Sequence, residues 1–171
     1  MKCAHLSGSI VTCAPGWTFF PHTEKCYQHV EKNTIQSWTA AKKGCENTSP
    51  AESSGSIIGE LASVPDDATN AFLMALSENK RVWLGGIRTE NNEWIWADGS
   101  AWAYEAGWLP GEPNGDQVSG KYLIMNHFFG GKYGWNDMFP AGITNTNNFP
   151  TNGFICQYHS AGWWESYQIA K

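Results

Sequence analysis

A chain of 171 residues is long enough for one domain with a sizeable core, in which roughly two-thirds of the unfolded surface leaves water on folding. Charged residues are 16% of the chain and aromatic residues 14%, with ten Trp among them, which excludes a disordered, highly charged chain and favours a loop-rich fold packed on aromatic rings. The formal net charge of −5 is not reversed by any local run of Lys and Arg, so nucleic acid and anionic membrane surfaces are poor partners.

The opening, Met1 to Gly8, lacks the continuous apolar stretch of a secretory leader, and no apolar run reaches about twenty residues, so membrane insertion is not expected. Residues 1–12 read as an N-terminal extension, residues 13–158 as the domain, and residues 159–171 as a C-terminal extension. Five cysteines stand at positions 3, 13, 26, 45 and 156; none has the close spacing of a zinc site. Cys13 and Cys26 bracket a segment containing Pro15-Gly16 and Pro21, as a disulfide-clamped hairpin would, and Cys45 with Cys156 can close a long loop. Separate buried thiols are the alternative. Cys3 is left over, either as a free thiol or as a bridge to a second copy.

A helix is predicted from about Ile35 to Cys45, with Ser37, Trp38, Ala41 and Cys45 near one face and Gly44 weakening its last turn. A polar loop from Asn47 to Gly55 contains the glycosylation triplet Asn47-Thr48-Ser49. Asp66 or Asp67 can cap a second helix whose Ala68, Ala71, Phe72, Ala75 and Leu76 fall near one face. Short strands follow at Val82-Trp83-Leu84, Trp94-Ile95-Trp96, Tyr122 to Met125 and Phe154-Ile155-Cys156. Between them lies a Gly-, Pro-, Asn- and Trp-rich stretch over roughly residues 99–120, with a second polar loop over 141–152. Loops of this length in a compact domain usually serve a function.

Glu112-Pro113-Asn114 and Trp135-Asn136-Asp137 carry the chemistry. Calcium takes six to eight oxygen ligands, and carboxylates with amide carbonyls suit it. Glu112 and Asn114 supply one such pair and Asn136 and Asp137 a second. A cis bond before Pro113 would aim the first pair at one point, although sequence alone favours trans. A carboxylate beside an amide also reads alcohol pairs, since one accepts a hydroxyl proton and the other donates to the oxygen.

These motifs, with Gly59-Glu60-Leu61-Ala62-Ser63, Trp83-Leu84-Gly85-Gly86, Trp94 to Ser100, Trp108 to Asn114 and Phe154-Ile155-Cys156, resemble the C-type lectin-like domain family over about residues 13–158. In particular, the site motifs are similar to those of soluble invertebrate C-type lectins. The resemblance implies an α+β fold with two helices, small antiparallel sheets and a long loop region. It also implies the disulfides Cys13–Cys26 and Cys45–Cys156 and a secreted, extracellular setting. It further implies that Glu112, Asn114, Asn136 and Asp137 bind Ca2+ and sugar hydroxyls. Glu-Pro-Asn goes in that family with mannose, fucose or N-acetylglucosamine, and a loop aromatic such as Trp102 or Trp108 can instead supply a platform for galactose or N-acetylgalactosamine.

Two departures stand out. Tyr122 and Phe139 or Pro140 replace the family's inner cysteine pair, and Gly120 replaces an acidic calcium ligand, for which Asp116 is the expected substitute. The expected function is calcium-dependent binding of cell-surface or microbial glycans, with calcium-independent sugar binding and protein recognition as alternatives. A homodimer bridged through Cys3 would raise avidity. Innate recognition of microbes, adhesion and agglutination share this chemistry. An enzyme is not expected: His5, His22, His29, His127 and His159 are scattered, and neither a serine nucleophile elbow nor an HExxH motif occurs.

Overall fold

The computed structural model describes residues 13–48, 51–52, 55–56, 58–116, 118–141 and 151–160. Cys3, the extension over 1–12, Ser49 of the glycosylation triplet and residues 161–171 lie outside this set.

Both disulfides form, Cys13 with Cys26 and Cys45 with Cys156. The first staples the hairpin of β1 (Thr18–Phe20) and β2 (Lys25–Glu31). The second ties helix α1 (Trp38–Thr48) to β10 (Gly153–His159), closing 111 residues of chain. Ala51–Glu52 (β3) and Gly55–Ser56 (β4) form a separate two-stranded ribbon.

The remaining strands join one sheet in the order β1-β2-β10-β6-β8-β9, where β6 is Val82–Arg88, β8 is Tyr122–Phe129 and β9 is Lys132–Met138. Two short strands attach to it: β5 (Glu60–Leu61) on β10 and β7 (Trp94–Trp96) on β6. The small antiparallel sheets anticipated from the sequence are therefore continuous, joined where β10 runs parallel to β6 through the Gly153–Val82 and Phe154–Trp83 pairs. β10 reaches past the expected domain end at 158, since His159 pairs with Lys25 and Ser160 donates to the Glu24 carbonyl.

Successive strand side chains point to opposite faces, and the sheet uses both. Tyr27, Val82, Leu84, Leu123, Met125 and Ile155 enter one core. Trp83, Ile124, Phe154 and Cys156 enter the other, against Trp38, Ala41 and Cys45 of α1. Tyr122, near a position where the resembled family carries a cysteine, stacks on Trp38 with ring centroids 4.4 Å apart.

The helix α1 starts at Trp38, later than the predicted Ile35, because Ser37 caps it: the Ser37 hydroxyl accepts from the Ala40 amide at 3.1 Å. Helix α2 (Asp67–Leu76) is capped by Asp66, whose carboxylate accepts from the Thr69 amide at 2.8 Å. Its buried residues are Thr69 and Leu73, with Phe72, Met74 and Leu76 packed at the margin, while Ala68, Ala71 and Ala75 face solvent. The predicted apolar face was thus rotated. Alanine suits a helix at exposed positions because of its backbone preference, so counting it as core misplaced the stripe.

Gly44 is explained by packing. A Cβ there would lie 2.6 Å from Cζ of Phe154, a fully buried ring. Gly44→Ala should therefore lose about 1–3 kcal/mol from overpacking, outweighing the roughly 1 kcal/mol gained in helix propensity. Denaturant unfolding of the two proteins checks this; a variant as stable as the parent would show that Phe154 yields freely.

Candidate functional site

The long loop predicted over 99–120 is ordered by tryptophan. Trp96, Trp102, Trp108 and Trp135 form one cluster with Trp94 and Tyr104, and neighbouring ring centroids lie 4.5–6.4 Å apart. The indole of Trp135 donates to Asn70 of α2 at 2.9 Å. Gly107 passes directly over it, where a Cβ would come within 2.2 Å of the ring. Backbone bonds in both directions, Trp135 N to the Gly107 carbonyl and Leu109 N to the Trp135 carbonyl, then fasten the loop to β9. The ring of Trp108, named as a sugar contact from the sequence, packs into this cluster at 4.9 Å from Trp94 and 5.6 Å from Trp135.

Beyond that anchor the chain turns through Glu112-Pro113, whose peptide bond is cis, and the two expected partners meet. The Asn114 side-chain amide donates to Glu112 Oε1 at 2.9 Å, and the Asn114 backbone amide reaches Glu112 Oε2 at 3.1 Å. Asn114 is exposed and Glu112 half-buried, so this pair presents Glu112 as acceptor and Asn114 as both donor and acceptor at the surface.

Asp137 is placed differently. Its side chain is 0% exposed. Oδ1 accepts from the Asn114 amide at 3.1 Å, while Oδ2 accepts from the Gly115 amide at 2.8 Å and from the Arg88 guanidinium at 2.9 Å. Asn136, its neighbour on β9, is almost buried. Arg88, at the end of β6, is 5% exposed; it also donates to the Gly115 carbonyl and lies over the Trp94 ring, 5.2 Å from the centroid. Sequence reasoning missed this arginine. The available signal was an arginine in phase with Leu84 and Gly86, on a strand that otherwise reads as apolar.

Asp116 does not take the role anticipated for it beside Glu112. Its Oδ1 accepts from the Val118 and Ser119 amides and the Ser119 hydroxyl, at 2.7–2.9 Å, closing its own turn. The Ser119 and Val118 amides hold the carboxyl below the usual carboxylate range. Gly120 has no room for the acidic side chain whose absence was noted: a Cβ there would fall 1.9 Å from Asp137 Oδ2.

Burial pushes the Glu112 carboxyl up to about 7, helped by a hydrogen bond and charge from neighbouring Asp137 and opposed by the Asn114 amide. Among the described residues, no three His, Cys, Asp or Glu side chains converge as a metal-binding group. Calcium's demand for six to eight oxygens is poorly met by a set in which one carboxylate already serves a guanidinium. Asp98 lies in a separate network, accepting from Ser63 Oγ at 2.6 Å and Gln157 Nε2 at 2.7 Å. His127 pairs with Arg81 at 2.8 Å.

No family model matches the chain. It is 28% identical over 149 residues to the galactose-specific lectin nattectin of Thalassophryne nattereri, an alignment covering 80% of this chain and 83% of nattectin. Among solved structures, it is similar to the cow C-type carbohydrate-recognition domain of CD23, crystallised in the presence of a GlcNAc2Man3 oligosaccharide, with 27% identity and a TM-score of 0.65. That match covers 86% of this chain and 95% of the CD23 domain. The C-type lectin CEL-I from Cucumaria echinata shares the fold at a TM-score of 0.67 and 23% identity, over 85% of this chain and 96% of CEL-I.

Two outcomes are expected. Arg88→Met should cost about 3–5 kcal/mol in chemical denaturation, because it strands the buried Asp137 carboxylate; a loss below about 1 kcal/mol would mean that the two amides alone suffice. For Glu112 the raised value means that the folded state binds its proton more tightly. Its contribution is therefore present below about pH 4.5 and is lost as pH rises toward about 7. Thermal midpoints measured across that window should show Glu112→Gln gaining on the parent as pH rises, and parallel curves would refute the shift.

Proposed function

Because the chain is a C-type lectin-like domain, we propose that it binds carbohydrate at the loop carrying Glu112 and Asn114. The observation that carries this reading is the exposed pairing of those two side chains, fixed by the Asn114 amide on Asp137 beneath them. A sugar diol presents each hydroxyl as donor and acceptor, and this pair answers with a carboxylate acceptor beside an amide that does both. The lectin relatives support the reading, and none of the named ones is an enzyme.

Glu112-Pro113-Asn114 favours the mannose, fucose and N-acetylglucosamine class by resemblance, whose equatorial hydroxyl pair suits two adjacent hydrogen-bonding groups. Galactose is the second reading, favoured by the specificity in the name of nattectin. Trp108 supplies it little, because its ring is already engaged by Trp94 and Trp135. The calcium expected from the resemblance finds less support than the sugar. Asp116 is turned into its own loop and Asp137 into the protein, leaving Glu112 and Asn114 as the accessible oxygen donors of the expected set, while Asn136 on β9 is buried.

An extracellular setting accords with two disulfides, and no helix among the described residues is long and apolar enough to cross a membrane. Glycan-coated cell or microbial surfaces are the fitting partners, and a dimer through Cys3 would add the avidity that a shallow site lacks.

Calorimetric titration with mannose, N-acetylglucosamine, galactose and N-acetylgalactosamine tests the proposal. Mannose or N-acetylglucosamine should bind with Kd of order 1 mM, and Glu112→Ala should weaken that at least tenfold, about 1.4 kcal/mol. Preference for galactose would select the second reading, and no binding to any of the four sugars would move the function to protein recognition.

A further inference from the structure

We propose that the Arg88 guanidinium is the resident cation of this site: it neutralises Asp137 from within the protein, and the turn carrying Glu112, Asn114 and Gly115 assembles without calcium. The inference rests on the lectin reading for its link to sugar, but its metal half stands on geometry alone.

The first observation is where the lone pairs of Asp137 go. Its two oxygens accept three hydrogen bonds, from the Asn114 amide, the Gly115 amide and Arg88, at 2.8–3.1 Å, and the carboxylate is wholly enclosed. A hard cation coming from solvent would find only one lone pair of Oδ1 unengaged, on a carboxylate without exposed surface, and could bind both oxygens only by displacing one of these donors. Arg88 is the one whose displacement costs most, because its own charge is buried and must then be left unpaired. The second observation concerns Gly120. A side chain cannot be added there while Asp137 holds its present position, since even a Cβ would lie 1.9 Å from Oδ2 and 2.9 Å from the Gly115 Cα. The missing acid and the inward-turned Asp137 are thus one arrangement seen from two residues.

Charge points the same way. Calcium affinity depends on the charge of its ligand set, and this site contains two carboxylates, Glu112 and Asp137, with a guanidinium already bonded to one of them. Adding a divalent ion beside that fixed positive charge is opposed by repulsion that burial strengthens. Arg88 also does something a metal would otherwise do for the loop. Through its donation to the Gly115 carbonyl, together with the Gly115 amide on Asp137, it holds Gly115 by both backbone groups. Asn114 is thereby positioned from below. Sugar contact then falls to direct hydrogen bonds from Glu112 and Asn114, with no hydroxyl bound to metal.

The test has two readouts on the wild-type chain. Titrating calcium chloride into metal-stripped protein should give no saturable heat, and its thermal midpoint should be the same in millimolar calcium as in excess chelator. Mannose or N-acetylglucosamine should bind with Kd equal within about twofold in the two conditions. Saturable calcium binding overturns the inference, and sugar binding lost in chelator does so as well while leaving the lectin reading intact. Absence of sugar binding in both conditions, with no calcium heat, overturns the lectin reading and upholds the role of Arg88. A single variant checks the geometry from the other side. Arg88→Gln removes the internal cation while keeping Gly120, and its thermal midpoint should rise on adding calcium chloride. If that variant fails to fold, the wild-type titration still decides.

Discussion

Asp137 is a carboxylate without exposed surface, and the loop carrying Glu112 and Asn114 is built on it. Taking such a group out of water costs several kcal/mol even after relaxation, so the structure must surround it with donors. The donors come from two separate parts of the chain, Arg88 from the end of β6 and the amides of Asn114 and Gly115 from the long loop, while Asp137 itself sits on a third, β9. Satisfying one buried charge therefore fixes the distance between two strands and a loop. A donor set from a single element would have left the loop free.

The indole cluster makes that arrangement possible by bringing the loop near enough. Trp135 immediately precedes the Asn136-Asp137 pair, and its ring sits under Gly107 while its backbone bonds Gly107 and Leu109. Glycine is required at 107 by this contact, at 115 by the approach to Asp137 and at 120 by both Asp137 and Gly115. Each lets backbone come closer than a side chain would allow. Apolar burial thus sets the path of the loop, at roughly 25 cal/mol per Å2 of surface removed from water, and the polar contacts set its register. Arg88 belongs to both systems, since it lies over Trp94 while bonding Asp137.

Much of the fold was legible from spacing. The strands carrying Trp83 and Trp94 to Trp96 stand where the motifs placed them, Asp66 rather than Asp67 is the cap of α2, and the disulfides are the pairs that the family resemblance implied. What escaped was relational. Alanines at 68, 71 and 75 suited the apolar stripe of α2 equally well inside or outside, and only the packing of Leu73 and Phe72 decides. Lys25–Glu31 reads as polar, yet it is held in the sheet by β10 on one side and β1 on the other. At the site, the convergence of Glu112 with Asn114 was readable because both lie in one turn. The inward turn of Asp137 was not, because its cause is an arginine 49 residues earlier in the chain. Asp116 illustrates the converse: the nearest acid to a vacant position was drawn instead to the amides two and three residues ahead of it, the ordinary behaviour of a short acidic side chain in a turn.

A guanidinium and a metal ion solve the same electrostatic problem with different consequences for recognition. A metal holds carboxylates together and offers open coordination positions to a ligand, so ordering the loop and gripping the ligand are one event. Arg88 has no such open face: it is buried, and its bonds run to Asp137, Gly115 and Asn92. The loop is then ordered before any ligand arrives, which lowers the entropy lost on binding, but the ligand receives only what Glu112 and Asn114 provide at the surface. With Glu112 itself drawn toward its protonated form by burial and by Asp137, even that acceptor is tempered near neutral pH. On the proposed reading the site trades strength at one sugar for independence of ion supply, and a site of this kind gains useful avidity by repetition across a surface.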